Sequence, residues 1–280
     1  MRRSLMRVIK PVLLIAVLVS SHVQLASGQN DSRFLPRTVT VEGETYPYRV
    51  YVPVGHRQDR QWPVILWLHG AAVRGTDGVR HTSRHLAPAI SQNPERFPAI
   101  VVFPQARPGH LWDAAMKAQA IAALEASTVE FNGDKNRTYA VGFSMGGRGV
   151  WSLAAKDERR FAALVVIAGP IADIPDRWTA SERANALREN DYLRSNDPFA
   201  ALASTIRNVP TWLFHGSADT LAPPEESRRM AQALRNVKAN VRLTEYEAVP
   251  HEPDRALAEP ELWSWLLAQR RGSTVPTPSK

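Results

Sequence analysis

Five short apolar runs constrain this chain more than any other feature: residues 64–68, 99–103, 139–141, 164–167 and 211–214. A strand with one wet face alternates apolar and polar residues, whereas a run that is apolar throughout must be covered on both faces, as in a parallel sheet flanked by helices. Segments of helical period lie between the runs, over residues 117–130, from Ser144 to about Lys156, and over 225–235 with Pro224 near the start. A last helix is expected over 260–270, where Leu262, Trp265 and Leu266 share one face. This alternation predicts an α/β fold with a mostly parallel, doubly wound sheet. Residues 37–54 instead alternate on either side of Glu42-Gly43-Glu44, the pattern of an N-terminal antiparallel hairpin. Between 170 and 209 the rhythm breaks, and a small insertion of extra helices is expected there, above the strand ends.

The ends of the chain have a different character. Arg2, Arg3, Arg7 and Lys10 precede a short apolar run over residues 12–19, and Ala26-Ser27-Gly28 has the small-residue pattern of a signal-peptidase site. The expected organisation is a signal peptide over 1–28, one catalytic domain over 29–270 and a disordered tail over 271–280. It implies export to the periplasm or the extracellular space, with no stable membrane anchor after cleavage. Export permits disulfides, yet the chain has no cysteine, so its core must hold the fold without them. The formal charge of +8 falls by half once the four basic residues of the leader are set aside. The remaining cations mix with acids, as in Asp157-Glu158-Arg159-Arg160, with no basic stripe carrying aromatics, so no nucleic-acid partner is expected. The sequence carries no signal of oligomeric state.

The strongest chemical signal is Gly142-Phe143-Ser144-Met145-Gly146, placed after an apolar run and before a helical segment. A serine at a tight strand-to-helix turn needs small residues two positions to either side, and its hydroxyl then projects above the sheet. That hydroxyl is a weak nucleophile unless a base takes its proton. With the chain order serine, acid, histidine, the base is His215 or His251. His215 closes an apolar strand and reads as structural; His251, in the loop Pro250-His251-Glu252-Pro253, is the preferred base. Asp219, just past the run at 211–214, is the preferred acid, with Asp254 and Asp197 as weaker rivals. A turn or helix-capping aspartate is the bland alternative for Asp219. Met145 N–H and Ala71 N–H, the latter after His69-Gly70, are the expected oxyanion donors.

With these motifs placed, the chain resembles the α/β-hydrolase superfamily, in the predicted-peptidase and phospholipase/carboxylesterase branch that includes polyhydroxybutyrate-depolymerase-like esterases. The resemblance rests on Leu68-His69-Gly70-Ala71 with Arg74-Gly75, on Gly142 to Gly147, on His215-Gly216-Ser217-Ala218-Asp219, and on His251 shortly before Asp254-Arg255-Ala256. Three departures stand out: Ala72 and Val73 replace Gly and Glu, the His251 loop is shorter and lacks a tryptophan, and the 170–209 segment is enlarged. The resemblance implies a serine carboxylesterase acting through Ser144, Asp219 and His251, with a small-molecule or polymer-derived ester as substrate and no metal or organic cofactor. His110, Trp112 and Trp178 are candidates to line the pocket. A serine peptidase of the same fold and an idle hydrolase fold used for binding are the alternatives.

Overall fold

A computed structural model describes residues 33–172 and 179–272. The expected leader, Trp178 and all of the expected tail but Arg271 and Gly272 lie outside the described residues. Two strands, β1 (Phe34–Val41) and β2 (Glu44–Tyr51), form the expected hairpin. Val41 pairs with Glu44, which leaves Glu42 and Gly43 as a two-residue turn. Both have positive φ (49° and 81°), the condition for the primed turn whose twist suits a hairpin.

The five apolar runs become β3 (Trp62–Leu68), β4 (Ile100–Pro104), β5 (Gly133–Phe143), β6 (Ala163–Ile167) and β7 (Thr211–Gly216). An eighth strand, β8 (Val241–Tyr246), is half-exposed and closes the far edge. The order across the sheet is β1-β2-β4-β3-β5-β6-β7-β8. Pairing from β4 to β8 is parallel, while β2 runs antiparallel to β4.

Parity along the strands explains the unbroken runs. Leu66, Leu68, Val102, Ala140, Val166 and Leu213 face one layer of helices. It comprises α2 (Ala114–Glu130), α3 (Met145–Lys156), α5 (Pro198–Ile206) and α6 (Pro224–Asn236). Ile65, Trp67, Val101, Val141, Val165 and Phe214 face the other, built from α1 (Leu86–Gln92), α7 (Asp254–Ala258) and α8 (Leu262–Ala268). Each fully buried aliphatic side chain contributes about 1.5–3 kcal/mol, which is how the core does without disulfides.

The 170–209 segment contains α4 (Ala180–Glu189), a 3-10 turn at Asp191–Arg194, and α5. Phe199, Leu202 and Ile206 of α5 are buried in the core, so α5 is the crossover that joins parallel β6 to β7. Only the part before it is added to the alternating pattern. Asp197 caps α5, accepting hydrogen bonds from the amides of Phe199 and Ala200. At the far end, Arg271 donates to the carbonyls of Asn136 and Arg159, holding the chain to the start of β5.

Candidate active site

Ser144 sits alone between the last residue of β5 and the first of α3, with φ 54° and ψ −118°. A non-glycine residue in that region is strained by about 1–3 kcal/mol, so its surroundings must hold it. Its amide donates to the Ile167 carbonyl at 2.9 Å. A Cβ on Gly142 would stand 2.4 Å from the Gly146 carbonyl oxygen, and one on Gly146 would stand 1.8 Å from that of Leu68. Both glycines are therefore demanded by close backbone approach, and a sharp turn lifts the serine above the sheet.

Three side chains expected to meet are brought together at the carboxyl ends of the strands. The Ser144 hydroxyl lies 2.8 Å from Nε2 of His251, and Nδ1 of His251 lies 2.6 Å from Oδ2 of Asp219. With Nδ1–H donating to the carboxylate, Nε2 is free to accept from the hydroxyl. Asp219 also does what a turn aspartate does: Oδ1 accepts from the amides of Leu221 and Ala222 at 2.8 and 2.9 Å. Burial pushes the Asp219 carboxyl up, but hydrogen bonds from His215, His251 and the Ala222 amide outweigh it, and the carboxyl is held well below the usual range. The rivals are occupied elsewhere: Asp254 is exposed and lies 3.2 Å from His85, and Asp197 caps α5.

His215 proves to be more than a strand-end residue. Its Nδ1 accepts from the Ser227 hydroxyl at 2.7 Å, while Nε2 faces the Ala222 carbonyl at 3.0 Å and Oδ2 of Asp219 at 3.2 Å. The shortened His251 loop is clamped to the Asp219 loop by backbone bonds. Ala218 N–H donates to the Val249 carbonyl, and Ala248 N–H to the Ser217 hydroxyl. Phe143 packs against the imidazole of His251 with ring centroids 4.9 Å apart.

Ala71 and Met145 hold equivalent places on neighbouring strands. Leu68 pairs with Gly142, and three residues beyond each, Ala71 opens a 3-10 turn and Met145 opens α3. First-turn amides have no partner within their own helix, so each is available to an outside acceptor. His69 fixes the first of these turns. Its Nδ1–H donates to the Gly70 carbonyl at 2.7 Å, in the same peptide unit as the Ala71 N–H, while Nε2 accepts from the Ala106 amide. Burial pushes His69 down to about 3, which keeps it neutral in this role.

Beside Met145 lies a cavity of about 160 Å³, which His110 and Trp112 line on one side and α4 on the other. His110 is bonded through Nδ1 to Asp113, the residue that caps α2, and the Trp112 indole donates to the His69 carbonyl. Trp178 falls outside the described residues. The sequence did not point to two further residues at this wall: Arg148, which donates to the Ile171 carbonyl, and Glu189, paired with Lys117 at 3.1 Å. A glutamate ending a polar helix looks solvated until its partner on α2 is known. Among the described residues, no group of acidic or histidine side chains could hold a metal ion.

A family model of the prolyl oligopeptidase family matches residues 110–266. No curated protein matches the sequence. Among solved structures, the chain is similar to a thermostable esterase at 27% identity and TM-score 0.68, over 85% of this chain and 64% of that one. It is also similar to an S-formylglutathione hydrolase from Staphylococcus aureus at 16% identity and TM-score 0.63, over 84% and 98% of the two chains. A third is an acylaminoacyl peptidase from Pyrococcus horikoshii, at 16% identity and TM-score 0.62, over 88% of this chain and 43% of that one. The chain thus spans just under two thirds of the esterase and less than half of the peptidase. The last two likenesses show the α/β-hydrolase fold alone.

Proposed function

The chain belongs to the prolyl oligopeptidase family of α/β-hydrolases, and from that premise we propose that it cleaves carboxylic esters through an acyl-enzyme formed on Ser144. The observation that carries the reading is the position of His251, bonded at once to Ser144 and Asp219, residues 107 and 32 positions away in the sequence. As Ser144 Oγ bonds to the ester carbonyl carbon, its proton passes to Nε2 of His251. Asp219 stabilises the imidazolium without taking the proton. The amides of Ala71 and Met145 receive the negative charge on the carbonyl oxygen. Collapse expels the alcohol, which leaves with the proton from His251. Water, deprotonated by the same imidazole, then attacks the acyl-enzyme and releases the acid and free Ser144.

The cavity beside Met145 is smaller than the roughly 300 Å³ at which pockets for drug-sized ligands begin, so it accepts a short acyl chain or a single ring. The family's name favours a second reading, hydrolysis of peptide bonds by the same three residues. An idle fold used for binding requires no hydroxyl–imidazole contact, and that contact counts against it. Export is part of the proposal and rests on the basic start, the apolar run and Ala26-Ser27-Gly28. On the protein recovered from the exported fraction, intact mass should give Gln29 as the first residue.

The decisive experiment uses the same preparation. p-Nitrophenyl acetate and butyrate should turn over, an aminoacyl-anilide should not, and a fluorophosphonate should label the protein. Ser144→Ala should abolish labelling and lower ester turnover by about 10⁴-fold or more. Faster cleavage of the anilide would replace the esterase reading with the peptidase one, and labelling that survives Ser144→Ala would end both.

A further inference from the structure

At the amino ends of the same parallel strands lies a groove of about 1560 Å³, formed by the segments that enter β5, β6, β7 and β8. Its cations come from four separate parts of the sequence. Lys135, Arg159, Arg235 and Lys238 are exposed and have no ion pair among the described residues. Arg160 is paired with Glu125 and Asp157, and Arg270 with Asp134. With Arg271, the lining holds seven basic side chains against three acidic ones. That excess equals the whole positive charge left to the chain once the four basic residues of the leader are set aside. The remaining charges sum to zero, so the surplus lies in the groove.

We propose that this groove binds an acidic polysaccharide, a chain of sugar rings bearing carboxylates, and so holds the enzyme on a polymer while the Ser144 end works. Charge sets the sign of the ligand, and the shape and floor of the groove set its class. Val129, Pro210 and Val241 give the lining an apolar component that suits the C–H faces of sugar rings. Among the described lining residues Phe161 is the one aromatic, and it is buried, so they offer no platform on which unpaired bases could stack. A concave surface also fits a single extended chain better than a flat bilayer. The planar guanidinium groups of Arg159 and Arg235 match carboxylates two bonds at a time.

The groove is a tether and not a substrate subsite. From Lys135 to Ser144 along β5 is roughly 30 Å, given a rise of about 3.3 Å per residue. Binding and hydrolysis should therefore separate cleanly, and the groove stands or falls independently of the ester reading.

The test measures binding of the full chain to polygalacturonate by calorimetry, beside hydrolysis of p-nitrophenyl acetate. Wild type should bind at about 50 mM salt and weaken by tenfold or more at about 300 mM, as counter-ions compete for the same charges. Arg235→Glu with Lys238→Glu should weaken binding at least tenfold and leave ester turnover within twofold. Lys135→Gln with Arg159→Gln, a milder pair at exposed positions, should weaken it about threefold and guards against loss of fold in the first variant. Absence of binding by wild type at low salt would overturn the proposal, as would binding indifferent to both variant pairs. Tighter binding of oligodeoxythymidylate or of phosphatidylglycerol vesicles, lost in the same variants, would also overturn it by assigning the groove to a different partner.

Discussion

At the carboxyl ends of the parallel strands, polar side chains are bonded to one another; at the amino ends, four cations face a groove with no ion partner among the described residues. Both ends belong to the same sheet, so the difference does not come from the fold class. It comes from how closely the backbone packs. Above the carboxyl ends, Gly146 lies against the Leu68 carbonyl, and Gly216 has room only for hydrogen, since a Cβ there would stand 2.1 Å from the Val249 carbonyl oxygen. Loops pressed together in this way fix side-chain directions to fractions of an ångström, as proton transfer requires. The amino ends are open, and there charge and reach matter more than geometry.

Substitutions at glycine test this contrast most severely. Gly146→Ala should cost more than about 3 kcal/mol of stability and remove ester turnover, because β3 and α3 must separate to admit a methyl group. Gly272→Ala, with nothing within 4 Å of the new methyl but φ of 78°, should cost about 1 kcal/mol and leave turnover unchanged. Urea unfolding of both variants reads the difference, and equal costs would erase the contrast.

Acid is the next lever. Burial pushes His69 down to about 3 and His81 to about 4, so both stay neutral in the folded protein while the unfolded chain takes up protons below about 6.5. The unfolded state therefore binds more protons, and stability falls as the pH drops from about 6.5 towards 4, by about 1 kcal/mol per pH unit for each histidine. Asp219 adds to the loss at lower pH, since a carboxyl held below its ordinary range stabilises the fold above about pH 4 and ceases to as it is protonated. Melting temperatures from pH 7 to 4.5 should fall less steeply in His81→Gln than in wild type. Parallel slopes would place the acid sensitivity elsewhere.

The smallest effect lies within the carboxyl end itself and separates the two histidines that meet Asp219. His215→Gln removes one donor to Asp219 and leaves the His251 contact in place. As a positioning residue, His215 should affect kcat by about tenfold, with KM unchanged, the scale of one hydrogen bond to a charged group. The acid limit of the fold's stability should move upward in pH, because Asp219 loses a bond that holds its carboxyl down. A fall in stability with an unmoved pH profile would reduce His215 to a packing residue.

Particular residues show how much was legible beforehand. The runs that became β3 to β7 were readable because strands covered on both faces need apolar residues at every position. β8 has only partial cover and half-exposed side chains, so its pattern is weaker. The segment 170–209 looked like an insertion throughout, but α5 within it is an ordinary crossover helix, hidden by the polar α4 ahead of it. At the site, the glycines around Ser144 carry their own steric signature. His215 gave no sign of its second contact, because nothing local to it says that Asp219 folds back within 3.2 Å. The basic groove was invisible because its cations stand one or two at a time in four separate segments, and only the fold brings those segments together.

The alternation of strands and helices, the sharp turn at Ser144 and the order of the residues that follow it can all be read from the amino acids in line, since they depend on periodicity and on steric limits among a few neighbours. Which imidazole meets the hydroxyl, which further group braces Asp219, and where the surplus positive charge collects are settled only in the folded chain. The first and third rest on residues far apart in the sequence, which meet only once the sheet has set the separations of its strands, and the second on how the loop from Gly216 to Asp219 folds back against the Val249 segment.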